Sequence, residues 1–432
     1  MAAHPETSPY LDAFRARERA AEPSWLADRR AAALDRFAAL GFPTRREEAW
    51  RFTDLRPLAA HAFPPAEGTS AIAPDDLAPW RLSGPSHRLV LVDGRFALDL
   101  SDLGALPPGA WLGSTAQALT ERPTLVEAAL DASDDAGAQP FAALNAAFFA
   151  DGFVLALEPG VTLEHPVEVI HIGRAASPQS FHVRSAMLLA AGSRATVIET
   201  FAGTGAYWTN AVAAIGLGEG ARLRHARVQV EDHQAVHIAL ARAALAPRAA
   251  YEAFALVLGA GLGRYDIQAC FGGADALCQL DGAFLLRGQQ ENTIATFVDH
   301  AAPGCTTREL FKGVVEDRAH GVFLGRIAVR PDAQRSDAQQ VNRNLLLGRR
   351  AVIDTKPELE ILADDVKCSH GATVGDLDEE ALFYLRARGI PEAEARRLLI
   401  EAFAAETLER VDGAVRERLA AHVARWLANE GR

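Results

Sequence analysis

Cysteine is scarce in this chain: four among 432 residues, at Cys270, Cys278, Cys305 and Cys368. Four scattered thiols cannot build the disulfide framework of a small secreted domain, and they point instead to reduced cysteines in the cytoplasm. Positive charge is also in deficit, with 44 Lys and Arg against 56 Asp and Glu. An acidic chain with no long Lys/Arg run is a poor match for nucleic acid or anionic membranes. Long apolar runs are missing: the longest, Ala253 to Leu262, falls well short of the roughly 20 residues that span a bilayer. Met1–Thr7 lacks the basic start and apolar stretch of a secretory signal.

Several catalytic signatures are absent. No Gly-x-x-x-x-Gly-Lys-Ser/Thr loop, Gly-x-Ser-x-Gly elbow or His-Glu-x-x-His pair occurs. Gly259-Ala260-Gly261-Leu262-Gly263 lacks the spacing of a dinucleotide fingerprint and reads as a turn. The chain is therefore expected to bind no nucleotide of its own.

What is present falls into three zones, read as residues 1–135, 136–375 and 376–432. The first looks helical and mixed. Ser24 can cap a helix carrying Leu26, Leu34, Phe37 and Leu40, stopped by Gly41 and Pro43. Arg45 to Leu55 is dense in charge and aromatics, and Leu89 to Phe96 reads as a strand and tight turn. The second zone shows no convincing amphipathic helix. Short apolar or alternating runs, each broken by Gly or a small turn, recur about every 30 residues, which lies in the solenoid range. An antiparallel sandwich also yields regularly spaced strands, but stacked coils explain a fixed interval better. The third zone turns helical. Asp376 or Asp378 can cap a helix through Leu385, Pro391 suits the first turn of the next, and Leu398, Leu399, Ala402 and Phe403 form one side of it. Val415, Leu419, Val423, Trp426 and Leu427 mark a third helix. Such a unit can cap the open end of a solenoid or dock another protein.

Near the end of the second zone stands Lys367-Cys368-Ser369-His370-Gly371-Ala372-Thr373. In an extended segment, residues i and i+2 project to the same face about 7 Å apart, so Cys368 and His370 point together. Thiolate and imidazole both ligate iron or zinc, and thiolates are the usual ligands of iron–sulfur clusters. Spacing alone leaves three uses open: metal co-ligation, a nucleophile with its base, or ordinary structure. Contact within about 3 Å is needed for the second, and strand neighbours two apart splay too far for that. Cys270 and Cys278 read as buried packing and Cys305 as a loop residue near His300. His165, His171, His225, His233 and His237 read as rung-side or surface residues.

Longer motifs carry a family resemblance. Phe297-Val298-Asp299-His300 through Leu310-Phe311-Lys312-Gly313-Val314 resembles the SufB/SufD family of iron–sulfur cluster assembly proteins. So do the segments from Arg335 to Leu347, Lys356 to Ile361 and Leu382 to Ile390, and more loosely Arg45 to Leu55. The Lys367 to Thr373 segment is similar to the SufD branch. The resemblance implies a mainly β fold: a right-handed parallel β-helix flanked by an N-terminal helical region and a C-terminal helical domain. It also implies a non-catalytic scaffold that pairs with a SufB-like subunit and binds a SufC-like ATPase. Cys368 and His370 would then face a nascent iron–sulfur cluster shared with the partner. Leu382, Phe383, Arg388 and Ile390 would contact the ATPase. A reduced flavin in the assembled complex and a homodimer of the isolated chain are compatible with this picture. The competing expectations are a stand-alone β-helix lyase acting on carbohydrate and a zinc hydrolase using Cys368 and His370.

Overall fold

The computed structural model describes residues 5–16, 22–61, 63–134, 139–175, 177–411 and 413–428. The first four residues of the segment read for a signal, and the expected boundary at 135/136, lie outside that set.

From Phe153–Leu157 to Lys367–Gly375, consecutive strands fall alternately into a nine-stranded and a ten-stranded sheet, winding through about eight turns. From Gln179–Leu189 to Asp337–Leu346 each strand pairs with the strand two before it and the strand two after it. Every pairing between strands from Val167–Arg174 onward is parallel, with no helix between turns. This is a parallel β-solenoid, not a sandwich. Val197, His225, Ala253, Leu280, Glu309, Gln340 and His370 are successive register partners, so the step matches the interval seen in the sequence.

One corner of the coil repeats a backbone device. Gly192, Gly220, Arg248, Asp275, Gly304 and Arg335 all have φ between 58 and 71°. Each donates its N–H to the carbonyl just before the equivalent corner of the next turn, as Gly220 does to Pro247 at 2.9 Å and Arg248 to Ala274 at 2.9 Å. The left-handed conformation turns the chain sharply, and the ladder satisfies amides that a loop would otherwise leave exposed. Only half of these corners are glycine.

The lumen is apolar along most of its length, from Leu89 and Phe153 to Phe311, Phe323 and Ile327. Different ends of the chain cover most of the two outer faces, while Leu77 and Trp80 of the N-terminal region pack on the first strands of the ten-stranded sheet. Phe37, Phe42, Trp50 and Phe141 from the N-terminal region pack on Trp208, Val236 and Ile238 of the nine-stranded sheet. Ile400, Ala404, Leu408, Val415, Leu419 and Trp426 cover Phe254, Leu256, Leu285 and Val314 of the ten-stranded sheet. The C-terminal helices therefore lie along the flank of the solenoid and do not cap its open end.

Three local expectations are corrected. A helix, Pro140–Phe148, opens the second zone; all nine of its residues are buried, so it has no polar face for a periodicity search to find. Ser24 is the first residue of the helix Ser24–Leu40 and Pro23 occupies the cap, with no side-chain bond there. In the helix Glu392–Leu408 the buried face is Ala395, Ile400, Ala404 and Leu408, while Leu398 and Ala402 are exposed. The expected caps at Asp378 and Gly41 are present: Asp378 accepts from the amides of Glu380 and Ala381, and Gly41 has φ 69°.

Candidate functional site

At the N-terminal end of the solenoid both sheet edges are finished by antiparallel strands. Arg95–Phe96 turns back on His87–Val92, and Ala110–Ser114 runs against Phe153–Leu157. At the other end Val352–Ile361 and Lys367–Gly375 each pair on one side only. Among the described residues two parallel edges thus stand unpaired, with Val352, Ile361, Leu362 and Val374 exposed along them. Unpaired edges of this length are templates for another chain.

Cys368 and His370 lie on this terminal strand. In the strand below, Ala338, Gln340, Asn342 and Asn344 are buried and Gln339 and Arg343 exposed, so even-numbered positions face the lumen. Register sets Cys368 above Ala338 and His370 above Gln340. Both candidate ligands therefore continue inward columns and, at the last turn, emerge at the mouth of the lumen. Cys368 is half-buried against the core and His370 is exposed. Burial pushes the Cys368 thiol up, the amide of Ala338 opposes, and the Asp337 carboxylate adds to the rise. Such a thiol is a weak nucleophile at neutral pH. Among the described residues no group of three His, Cys, Asp or Glu side chains converges as a metal site, so this chain offers two donors here.

The lumen below the mouth is polar. Gln340 Nε2 donates to Glu309 Oε2 at 2.6 Å, and Thr296 Oγ1 donates to the same oxygen at 3.2 Å. Burial pushes the Glu309 carboxyl up to about 7 against those two hydrogen bonds. Farther along, Glu199 accepts from His171 at 3.2 Å and His225 at 2.8 Å, and His237 lies 2.6 Å from Glu231. Burial works against ionisation of Glu199, but the two histidines hold its carboxyl well below the usual range. Sequence reading singled out none of the carboxylates Glu199, Glu231 and Glu309, because an inward polar residue in an alternating strand looks like any other member of the pattern. His171, His225 and His237 are buried lumen residues. Cys270, expected buried, faces outward with its Sγ 3.9 Å from Asp299 Oδ2, while Cys278 and Cys305 are buried.

The expected ATPase contacts lie on and just after the helix Glu379–Ala387. Phe383 is 72% exposed, and Arg388 is exposed with its guanidinium 4.5 Å above the ring of Tyr384, itself 56% exposed. Leu382 is buried and Ile390 half-buried, so those two support the surface from within. Tyr384 belongs to the exposed patch, although periodicity gave it no distinction.

Fold and site together define a class: a parallel β-solenoid with one open end that carries a thiol and an imidazole. The SUF system FeS cluster assembly SufBD core domain matches residues 171–403, and the SufBD protein N-terminal region matches residues 6–169. An iron–sulfur cluster assembly SufBD family protein of Synechocystis is 33% identical over 90% of this chain and 88% of its own length. The iron–sulfur cluster assembly protein SufD of Escherichia coli is 32% identical over 92% of both chains. A SufBD family protein of Mycobacterium tuberculosis is 28% identical over 88% of both. The chain belongs to the SufBD family of iron–sulfur cluster assembly proteins. That membership displaces the lyase and hydrolase alternatives. Among the described residues, no helix is long and apolar enough to cross a membrane.

Proposed function

We propose that this chain is a non-catalytic scaffold subunit of an ATP-dependent iron–sulfur cluster assembly complex. Its open end pairs with a SufB-like subunit, and a nascent cluster is built between them with Cys368 and His370 as this chain's ligands. The observation that carries the reading is the pair of inward columns ending in a thiol and an imidazole at an unpaired double edge. Two donors at such an edge suit a site completed by a second chain.

A SufC-like ATPase docks on the C-terminal helices, with Phe383, Tyr384 and Arg388 at the contact. Lys312, buried on the ten-stranded sheet, pairs with Glu406 of the second helix and donates to the Phe403 carbonyl at 2.9 Å. Glu406 also meets Arg343 one turn closer to the mouth, at 3.2 Å. This clip gives motion of the docked helices a route to the last turns. In this division of labour the region 1–135 starts and flanks the solenoid, 136–375 carries the site and 376–432 docks the ATPase. Four unpaired thiols suit a reducing compartment such as the cytoplasm.

Co-expression with SufB-like and SufC-like proteins tests this. A stable complex should form, and His370→Ala should strongly reduce its loading with iron and sulfide. Unchanged loading would remove His370 from the site. Phe383→Ala with Arg388→Ala should weaken ATPase binding and leave partner pairing intact.

A further inference from the structure

Directly beneath His370 the lumen holds an amide whose oxygen has no partner among the described residues. Gln340 is 0% exposed, and its Nε2 is committed to Glu309 Oε2. Thr296 approaches that same carboxylate oxygen from the facing sheet. These contacts turn the nitrogen end of the Gln340 amide toward Glu309 and leave Gln340 Oε1 buried and unpartnered. Gly325 makes the room: a Cβ there would lie 2.3 Å from Gln340 Nε2 and 2.8 Å from its Oε1. Any larger residue at 325 would push the amide out of its place. A buried carbonyl oxygen without a donor is costly, and such atoms call for an explanation. The next side chain in this column is His370, on the adjacent strand about 4.8 Å away. Its ring carries an N–H.

We propose that Gln340 is a positioning residue for His370. When a partner covers the open end, Gln340 Oε1 accepts the hydrogen on one imidazole nitrogen. The other nitrogen is then unprotonated and faces the opening, where it can bind a metal ion. Histidine ligands ordinarily hold such a second partner, which sets both tautomer and ring direction. Glu309 and Thr296 form the layer below, fixing which way the amide points. This inference rests on the reading of His370 as a ligand and adds how its ring is held.

The test uses the complex with the partner subunit, loaded with ferrous iron and sulfide. It reads iron affinity, cluster yield and the magnetic coupling of the imidazole nitrogen in the reduced, paramagnetic cluster. Gln340→Met removes the acceptor while keeping side-chain length. Iron should bind about tenfold more weakly, and the nitrogen coupling in the fraction that loads should change, because the ring is no longer held. A purely structural role would lower the yield without altering that coupling. Exchanging the pair, Glu309→Gln with Gln340→Glu, keeps an acceptor beneath His370 and should restore the wild-type coupling. His370→Ala separates the two ideas. If it loads like wild type, the ligand reading fails. If it abolishes loading while Gln340→Met keeps wild-type affinity and coupling, the role of Gln340 falls and the ligand reading stands. Should Gln340→Met not assemble, the exchanged pair decides: wild-type coupling supports the proposal, and altered coupling in an assembled complex overturns it.

Discussion

The two ends of the solenoid are built from the same coil and finished in opposite ways. At the first turn, a two-residue strand and an antiparallel strand close the sheet edges, and helices pack beside them. At the last turn, two ten- and nine-residue strands stop with their outer hydrogen-bonding groups unpaired. The interior changes in step. Early columns are filled by side chains such as Leu223 and Tyr251, whereas the same column ends in Thr307, Ala338 and Cys368. An edge that only had to survive in water would be short, charged or covered. The strand Val352–Ile361 carries such devices, Pro357 and the charges of Asp354, Lys356, Glu358 and Glu360, whereas Lys367–Gly375 keeps an exposed Val374, a thiol and an imidazole, which fits an edge that another protein covers.

Substitutions at the two kinds of position should differ most in the isolated chain. Phe311→Ala empties a fully buried lumen site that faces the Phe323 ring at 5.0 Å, and should cost about 3–5 kcal/mol in denaturant unfolding. Lys312→Ala removes the buried half of the clip to Glu406 and should cost about 1–3 kcal/mol. It should also loosen hydrogen-exchange protection in the helix Glu392–Leu408. A stability loss spread evenly over the molecule would refute the clip as a local tether.

The two ends should also respond oppositely to pH. His182, near the first turns, accepts at Nδ1 from Asn210 at 3.2 Å, and burial lowers its pKa to about 3. Its contribution is complete above about 6.5, the unfolded value, and is lost as pH falls toward 3. Glu309, near the mouth, is raised to about 7, so its contribution is complete below about 4.5 and is lost as pH rises through 7. Glu309→Gln should therefore raise stability at pH 8 relative to pH 5 by about 1–3 kcal/mol against wild type. Unfolding curves at the two pH values check this, and an unchanged difference would mean Glu309 titrates normally. The smallest effect is expected at the rim. Val374→Ala should change the stability of the isolated chain by less than about 0.5 kcal/mol, yet weaken pairing with the partner in a binding assay. Equal affinity would move the interface away from this edge.

The C-terminal helices supply a second contrast. A helical unit after a solenoid suggested either an end cap or a docking arm, and sequence could not choose between them. In the fold, Ile400, Leu408, Leu419 and Trp426 seal the flank of the ten-stranded sheet, and Arg287 stacks on Trp426 at 3.6 Å. Deleting the helices would expose that flank, so point substitutions at Phe383, Tyr384 and Arg388 are the cleaner test of docking.

By itself the sequence determined the repeat, the strand-rich middle, the helical tail and the placing of Cys368 and His370 on one face. Those features depend on period and local turn chemistry, which a linear pattern carries directly. The left-handed backbone at the corners Arg248, Asp275 and Arg335 was not legible, because it is stabilised by a ladder to the next turn and not by glycine. The buried helix Pro140–Phe148 escaped because burial on every side erases its period. Only the tertiary structure decided that the tail leaves the mouth open, and that Glu309 and Gln340 stand beneath His370. Those relations join residues about 30 positions apart through the register of stacked turns, which no local pattern encodes.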